Sequence, residues 1–343
     1  MKAAVWILSI LLLLSLLGNA FGLLDVFTGS VGHTRRSGPD LAETTMENNG
    51  SQNKILVVPV EGIISSDMSE RSNYGMVEYI RDQLDLAERD DHVKAVILKV
   101  NSPGGEVLAS DDICNAIKDF QKKSSKPVIA SMGSLAASGG YYVSSPCQWI
   151  VANELTITGS IGVIIHTLNF RGLMDKVGVR AEVYKSGKYK DMLSATKREE
   201  DITPEERAMI QHLVNETFGK FKQVVVDGRR AANRANEKSS DKGHTLNDDW
   251  TDFADGRVLS GKEALEIGLV DELGTWETAV KRARKLAKID NANLVEYQQR
   301  FDLSSLFRLL GKSSDSKVKI DLGMDLPKIK AGYMYFLPPA FVQ

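Results

Sequence analysis

The sequence predicts an α/β fold in which parallel strands are covered on both faces by crossover helices. Three observations predict it. Apolar runs of strand length alternate with segments whose apolar residues fall at helical spacing, from residue 54 to about 290. Runs such as Val93 to Val100 have the length of buried strands, as parallel sheets require. Glycine-rich turns follow two of these runs, at Asn101-Ser102-Pro103-Gly104-Gly105 and at Ser138-Gly139-Gly140.

Taken in order, the chain opens on Lys2 and then 22 uncharged residues, Ala3 to Leu24. As a helix this run would be about 33 Å long, enough for a hydrocarbon core of roughly 30 Å. Gly18-Asn19-Ala20 offers the small residues of a signal-peptide cleavage site. The apolar run continues past it through Phe21 to Leu24, which favours an uncleaved signal anchor with the rest of the chain outside the cytoplasm. Residues 26–53 are rich in Gly, Ser, Thr and Asn without an apolar period and read as a tether.

Ile55 to Val60 reads as the first strand. Val77, Ile80, Leu84 and Ala87 then mark a helix, Val93 to Val100 a buried strand, and Ile113, Ile117 and Phe120 a second helix. Pro127 to Met132 leads as a strand into the Ser138 turn. Trp149 to Asn153, Gly162 to Phe170 and Ala181 to Lys185 read as further strands. Thr203-Pro204-Glu205-Glu206 combines an N-cap threonine, a proline at the first helical position and a capping-box glutamate. Met209, Ile210, Leu213, Val214 and Phe218 follow as a core-facing stripe. After a polar stretch (Asn233 to Asp249), order resumes at Asp255-Gly256-Arg257-Val258 and ends in a helix from Trp276 to Ile289. The pattern weakens beyond Asn291, and the apolar Tyr333 to Val342 is expected to pack on its own domain or a neighbour.

Composition excludes several function classes. With 43 basic and 45 acidic residues, nothing argues electrostatically for nucleic acid. The two cysteines, Cys114 and Cys147, form no CxxC or Cys/His cluster, so zinc and thioredoxin-type chemistry are not indicated and both read as free, buried thiols. Ser239-Ser240-Asp241-Lys242 has the S-x-x-K spacing of penicillin-binding enzymes, but it lies in a polar stretch and lacks a Lys-Thr-Gly partner.

Ser138 is the candidate nucleophile. Its small neighbours, Ala136-Ala137 before and Gly139-Gly140 after, allow a tight strand-to-helix turn open to an incoming carbonyl. A serine hydroxyl needs a base within hydrogen-bond reach. Of the five histidines only His166 lies in a predicted strand downstream of Ser138, and no G-x-S-x-G elbow is present. Lys190, in Lys185-Ser186-Gly187-Lys188-Tyr189-Lys190-Asp191, is the better base. An ordinary lysine, with a pKa of about 10.4, is neutral in fewer than roughly one molecule in a thousand at pH 7. Lowering that to about 7.5 takes about 4 kcal/mol, which burial without a carboxylate partner supplies. The expectation is therefore a buried Lys190 with the Asp191 side chain turned away. Gly105 and Gly139 can present backbone amides to a developing oxyanion, and the Ser160 hydroxyl can orient the lysine. The fit is to acyl transfer by a Ser/Lys dyad, without a cofactor or metal.

These motifs, with Ser131 to Tyr142, Thr158-Gly159-Ser160-Ile161-Gly162 and Asp255 to Asp271, resemble the signal peptide peptidase A family in its short, single-domain form. The resemblance covers about residues 54–290. It implies Ser138 as nucleophile, Lys190 as general base, Ser160 as the lysine-orienting residue, and Gly105 and Gly139 as oxyanion donors. It further implies a Clp protease/crotonase-like fold and a bowl-shaped homo-oligomer in the bacterial cell membrane, with remnant signal peptides and other small hydrophobic peptides as substrates. The domain expectation is a transmembrane signal anchor (1–25), a flexible tether (26–53), a protease domain (54–290) and a C-terminal extension (291–343). The rival readings are a proteolytically silent membrane scaffold and a crotonase-like acyl-CoA enzyme.

Overall fold

A computed structural model describes residues 41–67, 75–237, 242–299 and 335–336. The anchor run Ala3 to Leu24 lies outside them, as do residues 26–40 of the tether. No helix among the described residues is long and apolar enough to cross a membrane.

In chain order the first half comprises β1 (Leu41–Glu47), β2 (Lys54–Ile64), α1 (Met76–Arg89), β3 (Val93–Glu106), α2 (Val107–Ser124), β4 (Val128–Ala136) and α3 (Gly139–Ser144). The second half comprises β5 (Trp149–Ala152), β6 (Ile157–Gly159), α4 (Arg171–Lys176), α5 (Pro204–Asn236), β7 (Val258–Ser260), α6 (Gly261–Glu266), β8 (Glu272–Leu273), α7 (Trp276–Leu286), β9 (Asn293–Gln299) and β10 (Tyr335–Phe336). The main sheet runs β1-β9-β2-β3-β4-β5-β8. Every neighbouring pair from β9 to β8 is parallel, while β1 joins β9 antiparallel. The sheet is therefore mixed.

Strand alternation sends side chains to two cores. Leu56, Val58, Val96, Leu98 and Val100 pack with α1, α2 and α5 through Ile80, Ile117 and Phe221. Ile55, Val57, Ala95 and Ile97 pack with α7 through Ala279, Val280 and Ala283. Burial on both faces is why these strands read as unbroken apolar runs. Two helix ends are closed by identifiable groups. The Lys126 ammonium donates to the carbonyls of Ala87 and Glu88 in the last turn of α1 and of Asp90 just past it (2.6, 3.3 and 2.8 Å). α5 starts with the predicted capping box between Thr203 and Glu206.

Several expectations are corrected. Residues 41–47, read as tether, form an edge strand; backbone pairing with β9 holds it although most of its side chains are exposed. Residues 293–299, read as extension, form β9 inside the sheet beside β2. Ala181 to Lys185 is irregular, and in Gly162 to Phe170 only Ile164 bridges, to Tyr335. Both have strand composition, but a lone strand without a sheet to join is marginal. The stripe Met209 to Phe218 is half-buried to exposed, with Phe218 packed against the core; the buried core residues of α5, Phe221, Val224 and Val225, lie further along. Of the apolar tail Tyr333 to Val342, the described Tyr335 and Phe336 meet the domain as β10 on β3.

Candidate active site

β4 ends at Ala136, and the chain turns sharply at Ser138 before entering α3. Ser138 adopts φ 54°, ψ −115°, a backbone region unfavourable for a residue with a Cβ. Two backbone bonds hold it there: its N–H donates to the Gly159 carbonyl (2.8 Å), and its carbonyl accepts from the Tyr142 N–H (2.8 Å). The residue is 1% exposed.

The turn packs on the glycine loop that ends β3. A methyl group on Gly139 would stand 3.0 Å from the Gly105 nitrogen and 2.7 Å from the Ser110 hydroxyl; one on Gly140 would stand 2.7 Å from the Ser102 carbonyl. Both glycines are needed for close approach. Gly104 takes φ 104°, and its N–H donates to the Ser102 hydroxyl (3.0 Å). The Ala137 N–H donates to the Ser102 carbonyl (3.1 Å). The structure thus brings Ser138, Gly139 and Gly105 together.

Ser160 joins them from β6. It follows the Gly159 carbonyl that receives the Ser138 amide, is 4% exposed, and is also left-handed at φ 50°. Its N–H donates to the Arg257 carbonyl (2.7 Å). The neighbouring Thr158 hydroxyl donates to the Ala136 carbonyl (2.7 Å), tying β6 to the end of β4.

Lys190 is placed differently from the expectation: in the single chain it is exposed. Its loop is held by a bond from the Lys190 N–H to the Gly187 carbonyl (3.4 Å). The Asp191 carboxylate goes to Lys185 (2.7 Å) and Lys197 (3.5 Å), and its pKa is lowered chiefly by the Lys185 hydrogen bond. Among the described residues, the hydrogen bonds of residues 166–201 run within that segment or to the start of α5, as from Lys197 to Glu206 (2.6 Å). The segment exposes Phe170, Leu173, Val177, Val179, Val183 and Tyr184. His166 is exposed there too, as are His92, His212 and His244.

Sequence reasoning missed three contributors. Ser102 braces both halves of the site. Glu106 is a buried carboxylate beside Gly105, accepting from the Ser65 hydroxyl (2.9 Å) and from the Ser66 N–H and hydroxyl (3.1 and 2.7 Å). A charge directly after Pro-Gly-Gly was the only signal for it. β10 adds antiparallel to β3 at Gly105 and Glu106, just past the point where β4 turns away, and Phe336 stacks on Tyr142 at 4.9 Å. Cys114 and Cys147 are free and buried, as expected.

Comparison with known proteins gives the family. The model of peptidase family S49 matches residues 120–290, and that of the Clp protease family matches residues 61–146. A putative signal peptide peptidase SppA of Enterococcus faecium is 36% identical, over 76% of this chain and 71% of that protein. A putative protease of Methanocaldococcus jannaschii is 40% identical, over 64% of each chain. The chloroplastic serine protease SPPA of Arabidopsis thaliana is 32% identical over 71% of this chain, which spans only 34% of that protein's length. The mixed sheet with its covering helices is accordingly a Clp protease-like α/β fold, and the chain belongs to peptidase family S49, the signal peptide peptidase A family of serine peptidases.

Proposed function

We propose that the protein is a serine endopeptidase that cleaves peptide bonds through an acyl-enzyme on Ser138, with Lys190 as general base. The observation that carries this reading is the Ser138 turn, packed so that the Gly139 and Gly105 backbones meet beside it. Ser138 attacks the scissile carbonyl as its proton passes to Lys190; the C–N bond then breaks, and the leaving amine takes that proton. The Gly105 and Gly139 amides hold the oxyanion, and Ser160 orients the lysine amine. Water, deprotonated by Lys190, releases the acyl group.

In the single chain Lys190 is exposed, so desolvation of its amine is assigned to a homo-oligomer in which a neighbouring copy covers the apolar 166–201 segment. The substrates proposed are remnant signal peptides and other small hydrophobic membrane-associated peptides, in keeping with the name of the Enterococcus relative. The protein is proposed to sit in the bacterial cell membrane by a single N-terminal span, Ala3 to Leu24, with residues 54–290 as an extracytoplasmic protease domain.

The test is labelling of the full chain with a fluorophosphonate, followed by peptide mapping. The adduct is expected on Ser138, absent in Ser138→Ala and strongly reduced in Lys190→Ala. Absence of label at Ser138 in a folded oligomer would overturn the nucleophile. Full labelling of Lys190→Ala, with loss in His166→Ala, would overturn the base.

A further inference from the structure

The Asp255-Gly256-Arg257 turn is the one conspicuous sequence motif to which the chemistry above gives no task. Its carboxylate forks onto Arg257: Oδ1 accepts from Nε (2.8 Å) and from the Arg257 backbone N–H (3.0 Å), while Oδ2 accepts from Nη2 (2.6 Å). The Arg257 guanidinium also lies over the Phe253 ring, at 5.6 Å from its centroid. Gly256 takes φ 91° to make the turn, and a methyl group on Gly162 would stand 3.1 Å from the Gly256 Cα. The turn is therefore pressed against the segment that carries Ser160.

The β6–β7 ladder pairs Ile157 with Ser260, Thr158 with Leu259 and Gly159 with Val258, and stops there. The next bond along, from the Ser160 N–H to the Arg257 carbonyl, lies one residue past its end. That bond flanks the last pair of the ladder, and the Asp255 fork fixes the Arg257 side chain and amide one peptide before the carbonyl. Two serines in left-handed backbone regions depend on this corner. Such conformations persist only where the surroundings hold them.

We propose that Asp255 is a positioning residue: by fixing the Arg257 carbonyl on the Ser160 amide, it holds the Gly159 carbonyl on the Ser138 amide and so sets the orientation of both hydroxyls. The proposal rests on the reading of Ser138 as nucleophile. Asp255 and Arg257 are both about half exposed, and an ion pair so exposed contributes little to global stability. Loss of the fork should therefore disturb the site more than the fold.

The experiment compares the full-length wild type with Asp255→Ala and Asp255→Asn. It measures hydrogen exchange in peptides covering residues 157–162, the fluorophosphonate acylation rate at Ser138 per folded protein, and the melting temperature. For Asp255→Ala, faster exchange in 157–162 and an acylation rate lowered about tenfold or more are expected, with the melting temperature within a few degrees. Asp255→Asn keeps the Oδ1 acceptor and should fall between Asp255→Ala and wild type. Unchanged exchange in 157–162, or faster exchange with an unchanged acylation rate, overturns the proposal. Should Asp255→Ala not fold, Arg257→Lys keeps the charge, loses the two-pronged fit, and takes its place in the same measurements. A wild-type protein that takes no label at Ser138 would instead remove the nucleophile reading, leaving exchange alone to judge whether Asp255 holds Ser160.

Discussion

Gly139 shows how little room the Ser138 turn leaves. A single added carbon meets the Ser110 hydroxyl and the Gly105 nitrogen together, so the neighbours on both sides must shift. Gly139→Ala is expected to lower peptide turnover by about 100-fold or more, the order seen when an oxyanion donor is displaced, in a protein that still folds. Steady-state kinetics on the purified protein checks this, and turnover within threefold of wild type would contradict it. The two thiols behave oppositely to the serine. Burial pushes the Cys114 pKa up to about 11 from an ordinary 9.0, and that of Cys147 higher still. Both should resist alkylation in the native state through pH 9 and react on unfolding. The native thiol holds its proton more tightly than the unfolded one. Its contribution is therefore complete below about pH 9 and lost as pH rises toward 11. Melting temperatures measured across that window should fall.

At the scale of elements, two contacts tie the helices behind Ser138 to the sheet. Arg229 of α5 is fully buried, pairs with Asp271 just before β8, and donates to the Cys147 carbonyl (3.0 Å) beyond α3. Asp271 also accepts from the Ile150 N–H of β5 (2.8 Å). Asp271→Ala leaves the guanidinium buried without its partner, and chemical denaturation should show a loss of about 3–5 kcal/mol. Phe336 closes the other side, stacked on Tyr142 and 4.7 Å from Phe221. Phe336→Ala should destabilise by about 3 kcal/mol or more by the same measurement, because the ring is wholly buried and its cavity is walled by the sheet and two helices. A change under 1 kcal/mol would show that β10 does not hold this place in solution.

For the whole molecule, the contrast lies between the two members of the proposed dyad. Ser138 is sealed inside the domain, while Lys190 lies on a segment whose apolar side chains face water, Tyr184 being 93% exposed. The first half of α5 has the same character, with Leu213 exposed in the stripe that was expected to pack. Apolar surface gathered in one segment marks an interface. The proposed homo-oligomer therefore predicts that Val177→Asp or Tyr184→Asp yields folded, smaller species by light scattering that no longer take label at Ser138. An unchanged mass, or monomers that label at the wild-type rate, would count against completion of the site by a neighbour.

What the sequence alone determined is local. Apolar runs placed β2 to β5, helical spacing placed α1, α2 and α7, Thr203-Pro204 placed the start of α5, and the Ser138 and Gly105 motifs marked the turns that meet in the candidate site. Each is legible because sterics, capping and periodic burial act within a few residues. Tertiary structure decided the rest. β1 and β9 hold their places through backbone pairing across some 250 positions, which leaves no periodic mark on a largely exposed strand. Residues 181–185 have strand composition yet find no sheet edge. Lys190 was recognisable by its motif, but whether its amine is dry depends on what covers it, and burial is a property of surfaces brought together from afar.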